Sequence, residues 1–229
     1  MASSDSNPRA DRRAQVWDLP VRLFHWALVL LLISQIVTAS IGGNAMEYHK
    51  LGGYAILTLV LFRLAWGVLG TRHARFADFV RGPRAVVEYA RVLLAGGHRA
   101  YPGHNPLGGW SVMLMLASLL VQTGTGLFAD DEIMTTGPLE KYVTDDTASL
   151  LTAIHEINAA VLVALVVVHV AAVLYYLVGR KENLIRPMIT GRKDWIEPVE
   201  DPPSEAAIAA KAVALLALSG LAVFGLVNL

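Results

Sequence analysis

The feature that most constrains the fold is the apolar stretch over residues 150–178, LLTAIHEINAAVLVALVVVHVAAVLYYLV. It is long enough to cross a bilayer as a single helix. Two histidines interrupt it, His155 and His169, which are 14 positions apart. At about 100° and 1.5 Å per residue, they lie within ~40° of one face and ~21 Å apart along the axis. Because an imidazole inside a lipid-spanning helix usually faces a partner in the bundle, the stretch predicts two stacked sites.

The rest of the chain supports a membrane location. Of its 229 residues, 55% are hydrophobic and only 17% are charged, whereas a soluble domain has about a quarter of charged residues. We predict an all-α integral membrane bundle with spans over residues 20–40, 48–69, 106–128, 150–178 and 206–227. An amphipathic helix is expected at residues 83–95 on the membrane surface. Residues 1–16 are expected to be disordered, and no internal repeat is predicted.

Charge and cysteine content exclude several classes of protein. The net charge is zero, so nothing indicates nucleic acid as a partner. The absence of cysteine excludes disulfides, iron–sulfur clusters bound by thiolate and covalently attached haem. Imidazole is therefore the expected ligand of any metal or haem. His155 and Glu156 begin a zinc-protease motif, but Ala159 stands where the second histidine belongs, which excludes that class.

The basic residues alternate between loops and predict the orientation of the chain. Four Lys or Arg residues lie before or at the start of the first predicted helix, six between the second and third, and five between the fourth and fifth. The two alternate loops have one each, Lys50 and Lys141. The positive-inside rule then puts the N-terminus in the cytoplasm and the C-terminus outside. The outer loop over residues 129–148 is acidic.

Depth in the membrane sorts the histidines into pairs. On the predicted topology, His49 and His155 lie near the outer surface, and His25 and His169 lie toward the cytoplasm. A mismatch in depth of roughly 6 Å remains between the inner two. Two facing imidazoles at each of two levels are what two six-coordinate haems require, whereas zinc requires three or four protein ligands on one centre. The alternative for any single membrane histidine is a hydrogen bond between helices.

Other polar residues could complete such sites. Arg63 lies 14 positions after His49, on nearly the same face at the cytoplasmic level, where it could pair with haem propionates or snorkel to the surface. His73 and His98 are expected to be solvated loop histidines. His104, just before the third predicted helix, could touch a haem or a quinone.

The chain contains, in order, VWDLPVRLFHW at 16–26, HKLGGY at 49–54, FRLAWG at 62–67, GHNPLG at 103–108, and His155-Glu156 with His169 following. Taken together, these motifs resemble the bacterial cytochrome b561 and nickel-iron hydrogenase cytochrome b subunit family, and the resemblance covers residues 16–195. It implies a four-helix core holding two non-covalent b-type haems, with axial ligands at His25, His49, His155 and His169. It also implies electron transfer between a redox partner or small donor and membrane quinone.

We therefore expect a dihaem domain over residues 17–195, followed by a linker and a fifth transmembrane helix over residues 196–229. The expected function is electron transfer across the bacterial inner membrane as part of a respiratory chain, rather than catalysis of bond chemistry. A soluble cytochrome c or a hydrogenase subunit is the expected partner, docking on the acidic outer loop. The alternatives are a stand-alone oxidoreductase acting on quinone and a small reductant, and a proton-coupled transporter using the histidines as a relay.

Overall fold

The computed structural model describes residues 13–97, 99–130, 135–194 and 204–229. Within these ranges, five helices are long and apolar enough to cross a membrane. The elements, in chain order, are β1 Arg13–Gln15, α1 Leu19–Ile41, α2 Ala45–Leu69, α3 Phe76–Phe79, α4 Pro83–Leu94, α5 Pro106–Gly126, α6 Asp145–Gly179, α7 Ile185–Thr190, β2 Arg192–Asp194 and α8 Glu205–Val227. The spanning helices are α1, α2, α5, α6 and α8, which confirms the predicted all-α membrane bundle with a fifth C-terminal span.

Side-chain caps and prolines fix where α1 and α5 begin. The Asp18 carboxylate accepts a hydrogen bond from the backbone N–H of Val21 at 2.7 Å, and the Asn105 side-chain oxygen accepts one from Gly108 at 2.8 Å. Each helix has a proline in its first turn, where the missing N–H has no intrahelical partner to lose. Both starts agree closely with the predicted boundaries.

The helix α6 begins five residues before the predicted start. Thr144 caps it by accepting a hydrogen bond from the N–H of Thr147, and Asp145 and Asp146 occupy the first turn, where carboxylates interact favourably with the helix dipole. Its 35 residues correspond to about 52 Å, well beyond the ~30 Å hydrocarbon core. A helix of this length extends beyond the hydrocarbon core, so a position counted from its end does not give a depth in the membrane.

The N-terminal segment is a correction to the sequence prediction. Residues 13–16, which we expected to be disordered, are ordered. Here β1 pairs antiparallel with β2, with Arg13 opposite Asp194, and the backbone N–H groups of Val16 and Trp17 donate to the carbonyl of Gly191 at 2.9 and 3.1 Å. Residues 1–12, His98 and most of the predicted linker, residues 196–203, lie outside the described residues.

The core has three apolar layers along the bundle axis, and α2 contributes to each of them. At the end where α1 begins, which is called the inner end after the predicted orientation, Trp66 is 1% exposed and packs with Trp17, Phe24, Phe62 and Leu116. The middle layer is Ile56, Val60, Leu119 and Leu162, and the outer layer is Leu57, Leu127, Leu139 and Val223. Large apolar side chains such as Leu30, Val178 and Phe224 are exposed on the outside of the bundle, as expected for surfaces that contact lipid.

The amphipathic helix α4 lies where the sequence predicted it and is attached to the end of α6. The guanidinium group of Arg180 donates to the carbonyls of Leu93, Gly96 and Gly97 at 3.2, 2.8 and 2.6 Å. These carbonyls are at or just beyond the C-terminus of α4, where backbone acceptors lack intrahelical partners. The contact holds α4 against the inner end of the bundle.

Candidate functional site

His49 and His155 face each other at the outer end of the bundle. Their ring centroids are 6.3 Å apart, and the ring planes are inclined at 73°. Two imidazoles that bind one metal ion from opposite sides through bonds of about 2 Å have ring centroids roughly 6 Å apart. The predicted outer pair is therefore brought together at a separation compatible with shared metal ligation.

A backbone carbonyl orients each ring of this pair. Nδ1 of His49 lies 3.2 Å from the carbonyl oxygen of Gln35 on α1, and Nδ1 of His155 lies 2.8 Å from that of Gln122 on α5. Because a carbonyl oxygen can only accept, each Nδ1 carries the proton. The lone pair of each Nε2 is then the one available to a metal, which is the usual arrangement of metal-binding histidines.

A threonine three positions after each glutamine reinforces this arrangement. Thr38 Oγ1 lies 3.3 Å from Nδ1 of His49, and Thr125 Oγ1 lies 3.4 Å from Nδ1 of His155. The same Gln-x-x-Thr pattern therefore faces a histidine in both helical hairpins, α1–α2 and α5–α6.

The two hairpins share further features that the sequence prediction missed. Gln35 lies 17 positions after the helix cap Asp18, and Gln122 lies 17 positions after the helix cap Asn105. Their second helices also correspond, since Arg63 follows His49 by the same 14 positions that separate His169 from His155. The hairpins are thus built on one plan, and the equal spacing of cap and glutamine is the signal that could have identified the glutamines from sequence.

At the inner end, His25 on α1 and His169 on α6 lie close enough to interact electrostatically. Nδ1 of His25 is buried and has no hydrogen-bond partner in the described part of the chain. The structure therefore places these two predicted partners in the same region of the bundle.

Arg63 is buried at the same end of the bundle, within electrostatic range of His104. Its side chain is 3% exposed, so it does not snorkel to the surface. The guanidinium carbon lies 5.0 Å from the centroid of the Phe76 ring, and one terminal nitrogen has no hydrogen-bond partner among the described residues. An unpaired guanidinium nitrogen inside a membrane bundle is energetically costly, and an anionic group of a bound ligand would satisfy it.

His104 belongs to the same inner region. Its ring centroid lies 4.6 Å from that of Trp17 and 4.6 Å from that of Phe79, and its Nδ1 is buried without a partner in the ranges described. Burial lowers the pKa of His104 to about 3, and the charge of Arg63 adds to this effect. His104 is therefore held neutral against the bundle.

His73 differs from its prediction as a solvated loop histidine. It is half-buried, its Nε2 is inaccessible to solvent, and burial lowers its pKa, with a further contribution from Arg72. The short turn over Arg72–Ala74 folds back onto the segment around Gly103, whose Cβ position would lie 3.5 Å from Nδ1 of His73. This tertiary contact is the physical reason for its burial.

One cavity of about 1740 Å³ runs between the helices and connects both levels. All four predicted ligands, His25, His49, His155 and His169, line it, and so do Arg63 and His104. Typical small-molecule pockets are about 300–1,000 Å³, so this cavity has room for more than one bulky group. Together with the paired imidazoles and the unpartnered guanidinium nitrogen, it fits planar, mostly apolar groups that carry a central metal and peripheral anions, as haem does.

Glycine at position 126 leaves space for one of the rings. A Cβ at Gly126 would lie 2.9 Å from Cε1 of His155, which is closer than van der Waals contact allows. By contrast, nothing lies within 4 Å of the Cβ position at Gly124, two residues earlier on the same helix. Of these two glycines, Gly126 is the one whose missing side chain the His155 ring requires, whereas the ring does not depend on Gly124.

The similarity of this chain to known proteins covers the residues that form the candidate site. The family model described as prokaryotic cytochrome b561 matches residues 16–191. A protein of Bradyrhizobium diazoefficiens, described as a probable Ni/Fe-hydrogenase B-type cytochrome subunit, is 21% identical over 229 residues, which cover 85% of this chain and 92% of the relative. A protein of Azotobacter vinelandii with the same description is 26% identical over 150 residues, which cover 53% of this chain and 62% of the relative. No solved structure matches the chain significantly.

Proposed function

Since the chain belongs to the prokaryotic cytochrome b561 family, a family of multi-pass membrane cytochromes, we propose that it carries electrons between two b-type haems stacked across the bilayer. In this proposal His49 and His155 hold the outer haem, and His25 and His169 hold the inner one. The observation that carries it is the 6.3 Å separation of the His49 and His155 rings, with each Nδ1 engaged by a backbone carbonyl.

The bound haem iron supplies one-electron redox chemistry. His49 and His155 would hold the iron of one haem and His25 and His169 that of the other, an arrangement that suits electron transfer rather than oxygen chemistry. The carbonyls of Gln35 and Gln122 hold the Nδ1 protons of the outer ligands, so Nε2 is the nitrogen that each ring would offer to iron. Leu119 and Leu162 of the apolar middle layer line the cavity between the two levels, so the groups bound at each level would have mainly apolar surroundings.

Arg63 is proposed to pair with the propionates of the inner haem. Its burial, its unpartnered nitrogen and its position near His25 and His104 support this role. Quinone is the proposed electron carrier in the membrane, and we place its site at the inner end, near His25, Arg63 and His104. Nδ1 of His104, buried and unpartnered among the described residues, could donate to or accept from a quinone oxygen.

The proposed orientation has a cytoplasmic N-terminus and an external C-terminus, and it rests on the distribution of basic residues. A hydrogenase is the first candidate for the external partner, because both reported relatives carry the description of hydrogenase cytochrome subunits. A soluble cytochrome c is the second candidate. The acidic side chains of Asp130, Glu140, Asp145 and Asp146 lie on the outer side and would attract a basic docking surface.

Haem stoichiometry in the purified protein tests the proposal. We expect two haems per chain and a b-type reduced-minus-oxidised spectrum. His155→Ala should lose one haem and keep the other, His169→Ala should lose the other, and the double variant should lose both. Absence of any haem band would overturn the proposal in favour of a histidine relay for protons, and one haem per chain would overturn the two-site arrangement.

Co-purification separates the proposed partner from the alternative. A hydrogenase or cytochrome that remains with the protein in mild detergent supports a subunit of a larger complex. Quinone reduction by a small reductant, catalysed by the isolated protein alone at full rate, would instead identify a stand-alone oxidoreductase.

A further inference from the structure

A series of hydrogen-bonded polar side chains, of which Ser118 is buried and the others are partly buried, crosses the interface between α5 and α6 and ends at His155. Ser118 Oγ donates to Oδ1 of Asn158 at 3.1 Å, and Asn158 Nδ2 donates to Oε1 of Gln122 at 2.7 Å. Asn158 Nδ2 also donates to the carbonyl of Ser118 at 2.9 Å. The side-chain nitrogen of Gln122 then lies 3.0 Å from Nε2 of His155. Amides are costly inside an apolar bundle, so this arrangement calls for a functional explanation.

The partners of each atom determine which group donates and which accepts in this series of hydrogen bonds. Oε1 of Gln122 is engaged by Asn158, so the NH₂ group of Gln122 faces His155. Nδ1 of His155 donates to the carbonyl of Gln122, so Nε2 is the unprotonated nitrogen and accepts from the Gln122 amide. Each hydrogen bond of the series thus joins a donor to an acceptor. The last acceptor is Nε2 of His155, whose lone pair is the one that a metal would use.

That nitrogen has one lone pair, which can serve either the amide or a metal. We propose that Gln122 is a positioning residue that occupies the coordinating nitrogen of His155 in the iron-free protein and is displaced from it when the outer haem binds. This inference rests on the proposed function, because it takes His155 as an axial ligand. The amide holds the ring in its rotamer and tautomer until then, while Asn158 and Ser118 keep the amide in place.

In the α1–α2 hairpin, the equivalent glutamine, Gln35, does not hold the histidine in the same way. The two outer histidines therefore differ in the hydrogen bonding of Nε2. The described hydrogen bonds of His49 all involve Nδ1. The side-chain nitrogen of Gln35 is buried but makes no hydrogen bond to any described residue, and it lies against Gly52 rather than the imidazole. Nε2 of His49 is therefore open to iron from the start, whereas Nε2 of His155 must exchange one partner for another.

Titration of haem into iron-free full-length protein tests the inference. The His169→Ala background restricts the measurement to the outer site, and haem itself is the probe. A net hydrogen bond stabilises by about 0.5–1.5 kcal/mol, so Gln122→Leu, which keeps the backbone carbonyl but removes the competing amide, should bind haem about three- to tenfold more tightly. The control Thr58→Val removes a hydroxyl that bonds within its own helix, to the carbonyl of Tyr54, and should leave the affinity unchanged.

Equal or weaker binding by Gln122→Leu, with a normal bis-imidazole spectrum, would overturn the inference while leaving the proposed function intact. Nitrogen NMR of histidine-labelled, iron-free protein gives a second readout that does not depend on haem. Wild-type His155 should show a protonated Nδ1 and a hydrogen-bonded Nε2, and the Nε2 shift should move in Gln122→Leu. An Nε2 signal that is the same in both proteins would also overturn it. Wild-type protein that binds no haem would instead contradict the proposed function.

Discussion

The indole nitrogen of Trp66 donates a hydrogen bond at 2.9 Å to Oδ2 of Asp18, which lies 48 positions earlier. The same oxygen accepts from the hydroxyl of Thr71 at 2.5 Å, and the other oxygen caps α1 through the N–H of Val21. Asp18 is 4% exposed and also interacts electrostatically with Arg63. A single carboxylate thus attaches the start of α1, which carries His25, to the end of α2.

Replacing Asp18 should therefore destabilise the bundle. Asp18→Ala removes a helix cap and leaves the Trp66 and Thr71 donors without their acceptor, which together should cost on the order of 2–4 kcal/mol. The measurement is the thermal midpoint of the purified protein in detergent. Asp145→Ala, at an exposed position in the first turn of α6, is the control and should change the midpoint little. Equal effects of the two variants would contradict the role assigned to Asp18.

Alanine substitutions at Gly126 and Gly124 of α5 should have different effects on the outer haem, because only Gly126 lies against the His155 ring. Gly126→Ala places a Cβ against the ring of His155, so the ring must move and the outer haem should be lost or bound more weakly. Gly124→Ala meets nothing within 4 Å and should retain both haems. Haem content and the low-temperature spectrum of each variant are the measurements. Retention of an unperturbed outer haem in Gly126→Ala would show that His155 does not need its observed position.

Loss of the Arg63 charge should lower the midpoint potential of the inner haem. A buried positive charge within about 10 Å stabilises the reduced, more negative state by roughly 1–2 kcal/mol, which corresponds to about 50–100 mV for one electron. Redox titration of Arg63→Leu should show this shift at the inner haem and a smaller one at the outer haem. Arg91→Leu, which removes an exposed arginine of α4, is the control. A shift of the same size in both variants would argue against pairing of Arg63 with the inner site.

The buried His104 should make stability depend on acidic pH. Its pKa is about 3 in the folded protein and about 6.5 when unfolded, so below pH 6.5 only the unfolded state takes up the proton. Folding stability then falls as pH decreases from 6.5 toward 3. Between pH 7.5 and 5 this residue should contribute a loss on the order of 1–2 kcal/mol.

Thermal denaturation of His104→Gln and of wild-type protein over that range measures the contribution. The variant should lose less stability on acidification, while the two proteins should respond alike between pH 7.5 and 8.5. An identical loss in both proteins between pH 7.5 and 5 would mean that His104 is not held neutral by burial.

The sequence predicted those features of the site that depend on helix geometry, and it missed those that depend on contacts between distant segments. The two levels on α6 followed from the spacing of His155 and His169, since a helix has a fixed rise and rotation per residue. The roles of Gln35 and Gln122 did not, because every residue type has a backbone carbonyl and these two act on histidines 14 and 33 positions away. Their equal spacing from a helix cap was an indirect signal. The burial of His73 was missed for the same reason, as a contact with the distant segment at Gly103 produces it.

The sequence by itself determined the membrane class, the five spans and the residues available as ligands. These follow from hydropathy, helical periodicity and caps such as Asp18 and Asn105, which act within a few residues. Only the tertiary structure decided which other side chains meet: that Arg63 is buried against Phe76 rather than solvated, and that Gln122 holds Nε2 of His155. Such contacts depend on how α1, α2, α5 and α6 pack against one another, and packing is set by the complementary shapes of whole helix surfaces rather than by any local pattern.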